Sequence, residues 1–321
     1  MTDSEHFVAR SNHQLVATSW THTGPTLPYS GRNWSSWPLQ RRAEGLKRAG
    51  FSGIGLFQDD LAYVLAFEAV GATRRDRLIW VRELLDANGL TFVELEFLVH
   101  WMLPKEDPRR IAEQPMRELL LEAAPILGAR HIKVGNIGLP AADKQLRENF
   151  RELCREAEDA ETRIGMEIFP IDPNAQTLDQ ALNWIAGPSN GGLFLDIWHM
   201  SHSAGITLAD IALLDRNDVI GVELDDGILA TPEEQPFFDS PWGLGFMEHT
   251  LNMRRLPGEG NFDIAGFIKA INATGFDGPW GNEILSEEFR RLPMDVAYGR
   301  AASAAIRQLD AARPARGTPT L

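Results

Sequence analysis

The sequence predicts a single α/β domain closed as a (β/α)8 barrel, on three observations. Short apolar runs ending in polar residues occur eight times, and a longer stretch with apolar residues at helical spacing follows each. Several of the runs also end in a carboxylate, the position that faces the mouth of such a barrel. In chain order the strands are expected at LVATSW (Leu15 to Trp20), GIGLF (Gly53 to Phe57), TFVELEF (Thr91 to Phe97) and HIKVGN (His131 to Asn136). The second half continues with GMEIF (Gly165 to Phe169), GLFLDI (Gly192 to Ile197), IGVELDD (Ile220 to Asp226) and PWGNEIL (Pro279 to Leu285).

Between them lie helical patterns such as LQRRAEGLKRAG, RDRLIWVRELLDANG, EQPMRELLLEAAPILGA and FDIAGFIKAINATG, several ending in glycine where a left-handed C-cap is expected. An open doubly wound sheet uses the same alternation. The count of eight and the placement of the acids favour closure, and no GxGxxG or phosphate-binding loop supports the alternative. The barrel is expected over residues 13–311, between an N-terminal tail (1–12) and a disordered C-terminal tail (312–321). Two long segments, Thr21 to Trp37 after the first strand and Gly227 to Gly260 after the seventh, are rich in Pro, Gly and aromatic residues and read as lid loops on the mouth.

The 321 residues are 44% hydrophobic and 24% charged, enough apolar material for one large core. With 45 acidic against 31 basic residues the formal charge is −14, which repels nucleic-acid phosphates and anionic membranes. The lone cysteine, Cys154, excludes an intrachain disulfide and a thiolate metal cluster, and fits a reducing, cytoplasmic setting. There is neither an apolar leader nor a run of about 18 apolar residues, so no membrane association is expected. No coiled coil or repeat specifies an oligomer, though barrels of this kind can pair through their helical faces.

Four expected strand ends carry acids: Glu167, Asp196, Glu223 and Glu283. Carboxylates converging on a dry cavity repel one another unless a cation joins them. An all-oxygen set suits Mn²⁺ first and Mg²⁺ next, with His199 making Co²⁺ or Zn²⁺ tolerable. On the seventh strand Asp226 competes with Glu223, since residues alternate faces and Glu223 and Asp225 point the same way.

These residues carry a resemblance. An acid on the fifth strand, the Asp196-Ile-Trp-His199 element on the sixth, a donor on the seventh and Glu283 on the eighth resemble the metal site of the sugar phosphate isomerase/epimerase family, within the xylose isomerase-like TIM barrel superfamily. The run LPGEGNFDIAGFIKAINATGFDGPWGNEILSEE is similar to the family's closing segment. Two positions depart from it: the family's H-x-K-D element reads Glu223-Leu224-Asp225-Asp226, and where its epimerases tend to carry a second glutamate after the fifth strand only Asp172 is available.

The resemblance implies a metal-dependent isomerase or epimerase that removes a proton beside the carbonyl of a sugar-like polyhydroxy-ketone and passes through a metal-stabilised enediolate. Loss of a β-hydroxyl from that intermediate gives the alternative, a dehydratase or lyase on a keto-sugar or keto-cyclitol. An apurinic-site nuclease is disfavoured by the charge, and an inactive sugar-binding barrel by the intact acids. For catalysis the candidates are His199 as base, Lys133, Glu167 and Glu283. For the substrate they are Glu96, Trp20, His22, His100, Trp198, Trp242 and Arg254, aromatic faces for C–H stacking and Arg254 for a carboxylate or phosphate.

Overall fold

A computed structural model describes residues 13–231, 233–234 and 245–313. Eight strands close in sequence order, β1 (Leu15–Ala17), β2 (Gly53–Phe57), β3 (Phe92–Leu98), β4 (Ala129–Gly135), β5 (Ile164–Glu167), β6 (Gly191–Asp196), β7 (Val219–Leu224) and β8 (Trp280–Asn282). Every neighbouring pair is parallel, and β8 returns to β1 with Val16 opposite Gly281. The expected (β/α)8 TIM barrel is therefore the fold.

The helices follow from local signals. In chain order they are α1 (Ser19–His22), α2 (Leu39–Ala49), α3 (Gln58–Phe67), α4 (Arg74–Ala87), α5 (Pro108–Leu127) and α6 (Asp143–Asp159). Then come α7 (Leu178–Ile185), α8 (Ile197–His202), α9 (Leu208–Ile211), α10 (Phe246–Asn252), α11 (Ile264–Ala273) and α12 (Met294–Ala311). Thr73 opens α4 with a reciprocal capping box to Asp76, and Asp107 followed by Pro108 opens α5. Gly50 and Gly128 close α2 and α5 at φ +93° and +62°, the left-handed conformation that lacks a Cβ penalty in glycine. None of the described helices is long and apolar enough to cross a membrane.

The first strand is shorter than its apolar run. Past Ala17 the chain turns into α1, because Thr18 and Thr21 hydroxyls both donate to the Asn282 carbonyl and Ser19 Oγ donates to Gly55 and accepts from Phe57 N–H. Hydroxyl bonds to the neighbouring strands thus replace ladder bonds.

The main core lies between the strands and the surrounding helices. Inside the barrel, glycines make room for large side chains on neighbouring strands. A Cβ at Gly221 would sit 2.3 Å from the Phe194 ring, and one at Gly281 would sit 2.6 Å from Glu223 Cγ. Gly221→Ala is expected to cost about 1–3 kcal/mol through overpacking. Thermal unfolding measures it; an unchanged midpoint would show that Phe194 has room to move.

Candidate metal centre

Alternation along five strands delivers the acids to one place. Glu96 stands near the end of β3, Glu167 ends β5, Asp196 ends β6, Glu223 lies one residue before the end of β7, and Glu283 follows β8. Asp196 pairs with Glu223 across the ladder, and Glu223 with Gly281, so the missing side chain at 281 leaves room for the glutamate. Carboxylate oxygens of Glu167, Asp196, Glu223 and Glu283 lie within 4.8 Å of one another, all four residues being buried. Glu167, Asp196 and His199 form a second group to the same limit.

Two cations are threaded through this cluster. Lys133 Nζ, from β4, lies 2.8 Å from Glu223, 3.0 Å from Glu96, 3.5 Å from Glu283 and 3.9 Å from Glu167. Arg254 Nη1 lies 2.5 Å from Asp196, 2.5 Å from Asp225 and 3.1 Å from Glu283, and its guanidinium sits 5.3 Å from the centre of the Trp198 ring. Six carboxylates thus face two fixed cations. Glu167 Oε1, Glu223 Oε2, Asp225 Oδ1 and His199 Nδ1 are buried with no hydrogen-bond partner among the described residues. Counted as fully ionised, the six acids exceed the two cations by four charges, and this formal excess with unpartnered oxygens fits one divalent cation held by Glu167, Asp196, Glu223 and Glu283.

Electrostatics at the cluster point the same way. Burial, with Glu283 and Asp196 nearby, pushes Glu167 from its ordinary value up to about 8 despite Lys133. Burial and then Glu283 hold Glu223 well above the carboxylate range. His199 is held well below its usual value by burial, Arg254 and Lys133, so its imidazole is neutral. For Lys133 burial acts downward but Glu167 and Glu223 outweigh it, and the ammonium stays charged.

The native protein therefore keeps a proton on Glu167 that the unfolded chain releases near pH 4.5, and stability falls as pH rises from there to about 8. A cation must displace that proton, so affinity rises with pH. Calorimetric Mn²⁺ titration is expected to show binding about tenfold tighter at pH 8 than at pH 6. Equal affinities would mean that Glu167 is already ionised at the lower pH.

Other candidates fall elsewhere. Glu96 accepts the Ser19 N–H and pairs with Lys133, and Trp20 lines the cavity with it. His22 lies away from the cavity: it is fully buried at the end of α1, where Nε2 meets the Gly55 carbonyl and Nδ1 meets Arg42, itself paired with Asp60. So does His100: its ring faces Glu113 at 3.4 Å, and Glu113 also accepts the Val99 and His100 N–H groups. Trp198 does too, fully buried behind Arg254 and donating to Thr250 Oγ1. Each is held by a partner on another element and none lines the cavity. Trp242 lies outside the described residues.

Asp226, the rival to Glu223, turns away from the mouth and accepts the N–H groups of Gly227, Gly258, Gly260 and Phe262, anchoring the P-G-E-G loop. Asp172 is likewise outside the cavity, bonded to Asn136 and Asn174. Asp225 enters the cluster only through Arg254; its alternation with Glu223 was the one signal in the sequence. Phe57, Phe97 and Phe169 line the cavity without any motif to mark them.

Known proteins share this architecture. The sequence profile of the xylose isomerase-like TIM barrel family matches residues 43–310. The 3-dehydroshikimate dehydratase of Pseudomonas aeruginosa is 28% identical over 267 residues, which make up 79% of this chain and 37% of that protein. The chain thus spans little more than a third of the curated relatives it matches. Among solved structures, the IOLI protein with a bound zinc atom superposes with a TM-score of 0.73 at 16% identity, covering 94% of this chain and 99% of that one. A xylose isomerase-like TIM barrel/4-hydroxyphenylpyruvate dioxygenase fusion protein gives 0.71 at 21%, covering 91% and 42%. At these identities the structural likeness speaks to the fold.

Proposed function

Since the chain belongs to the xylose isomerase-like TIM barrel family, we propose that it is a divalent-metal-dependent lyase that removes water from a small hydroxy-ketone. The observation that carries this reading is the unlike pair flanking the acids. Neutral His199, 3.6 Å from both Glu167 and Asp196, stands on the β6 side, and charged Lys133, paired with Glu96, stands on the β3–β4 side. Elimination needs a base at one carbon and an acid at the next. Epimerisation calls for two acid–base groups across one carbon, and Asp172 is not in the cavity to serve as the second.

Glu167, Asp196, Glu223 and Glu283 would hold a divalent cation, Mn²⁺ being the first choice for an oxygen-rich site, and when bound it would supply Lewis acidity toward the substrate carbonyl. His199 takes the proton from the carbon beside the carbonyl. The C–O bond at the next carbon then breaks with its electron pair, and the departing hydroxide takes a proton from Lys133 to leave as water. Glu96 holds the Lys133 ammonium aimed at that oxygen, and Arg254 fixes Asp196 and Glu283 in place. Glu167 and Glu283 border the same cavity, where either carboxylate can pass the proton on.

The curated relative's name supports the lyase reading and supplies the first substrate to try. Mn²⁺-loaded protein would be given 3-dehydroshikimate and a panel of hydroxy-ketones in D₂O. New ultraviolet absorbance from a conjugated product is the expected result. Deuterium in recovered substrate without absorbance would make the enzyme an isomerase or epimerase, the reading that the sequence resemblance puts first. Silence in both measurements, with no metal retained, would overturn the enzymatic reading.

A further inference from the structure

The acids form only the floor of the cavity. Above them stands a second apolar cluster, separate from the main core, made by Trp20, Phe57, Phe97 and Leu285 with Phe169 and Leu251 packed against it. These residues come from beyond or at the ends of β1, β2, β3, β8 and β5 and from α10, so they ring the mouth instead of filling the barrel. Trp20 and Phe57 have centroids 5.1 Å apart, Phe97 and Phe169 5.9 Å, and Phe169 lies 4.2 Å from the His199 ring.

Among the described residues the polar groups near the collar are few and most are engaged. Thr250 Oγ1 accepts from Trp198, Arg254 and Lys133 are held by the acids, and Glu96 serves Ser19 and Lys133, while the Tyr29 phenol, packed against Trp20 and Phe57, adds one hydroxyl to the wall. A substrate body bearing a row of hydroxyls would lose its water here and find few partners, whereas an apolar body would gain from leaving water. Sites built to bind polyols need donors and acceptors along the wall.

We infer that the site takes a substrate whose hydroxy-carbonyl head meets the acids and whose body is a compact apolar ring or branched alkyl group, not a polyhydroxylated chain. The head half of this inference rests on the metal-dependent reading above; the collar stands independently of it. It narrows the polyhydroxy-ketone expected from the sequence.

Mandelate and glycerate share an α-hydroxy-carboxylate head and differ in carrying a phenyl or a hydroxymethyl group. Both would be titrated calorimetrically into the full chain, with and without Mn²⁺, alongside Leu251→Asn, a partly exposed collar position. Mandelate is expected to bind about tenfold tighter or better. Leu251→Asn is expected to narrow that preference at unchanged metal content. Equal or stronger glycerate binding to Mn²⁺-loaded protein, binding of neither ligand, or an unaltered preference in Leu251→Asn would each overturn the inference. A mandelate preference in protein that retains no Mn²⁺ would uphold the collar while removing the metal-dependent reading.

Discussion

Lys133→Met is expected to destabilise the metal-free protein by about 3–5 kcal/mol at pH 8, because a buried cation shared by four carboxylates disappears and leaves them uncompensated. The loss should shrink toward pH 5. Burial and mutual repulsion already raise the affinities of Glu167 and Glu223 for protons, and in the variant those protons take over the work of the ammonium. Urea unfolding at the two pH values measures both effects. Adding Mn²⁺ should restore more stability to the variant than to the parent, since the ion no longer competes with a fixed charge. A variant as stable as the parent at pH 8 without metal would show that the lysine carries no part of the cluster's charge balance.

Glu283→Gln is the second large effect. The change keeps the shape of the side chain and removes one of four oxygen ligands. It also turns an amide N–H₂ toward either Lys133 at 3.5 Å or Arg254 at 3.1 Å, where a charged acceptor stood. Metal content after dialysis should fall to near zero, and activity on whichever hydroxy-ketone the screen identifies should fall about 10³-fold, the equivalent of several kcal/mol of lost polarisation. Glu94→Gln is the control. Glu94 is also buried in the barrel, but burial pushes it up to about 7, so its carboxyl is largely protonated below neutrality and amide substitution changes little charge. Loss of metal in both variants would trace the effect to general loosening of the barrel; loss in Glu283→Gln alone ties it to the ligand.

Most of the floor was legible before the structure. Strands repeat every two residues, so GMEIF, GLFLDI and GVELDD announce which side chains face inward, and an acid inside an apolar run has few other reasons to be there. The same reasoning paired Glu223 with Asp225 and set Asp226 on the other face, where it anchors a loop. It did not reach the segments past the strands. His22, His100 and Trp198 follow strand ends as the acids do, but each is turned to a partner on another element: Arg42 for His22, Glu113 for His100, Thr250 for Trp198.

The sequence by itself determined the eight-stranded barrel and the four inward carboxylates, because both depend on local periodicity that any one strand expresses alone. Only the tertiary structure decided that Lys133 answers four acids from four other strand ends, and that Arg254 reaches Asp196 and Asp225, 58 and 29 residues earlier. It alone gathered Trp20, Phe57, Phe97, Phe169, Leu251 and Leu285 into one collar. Those juxtapositions arise from closing the barrel. Closure brings β8 against β1, Arg255 pairs with Asp226, and α10 reaches the mouth, and such long-range proximity leaves no periodic trace in the chain.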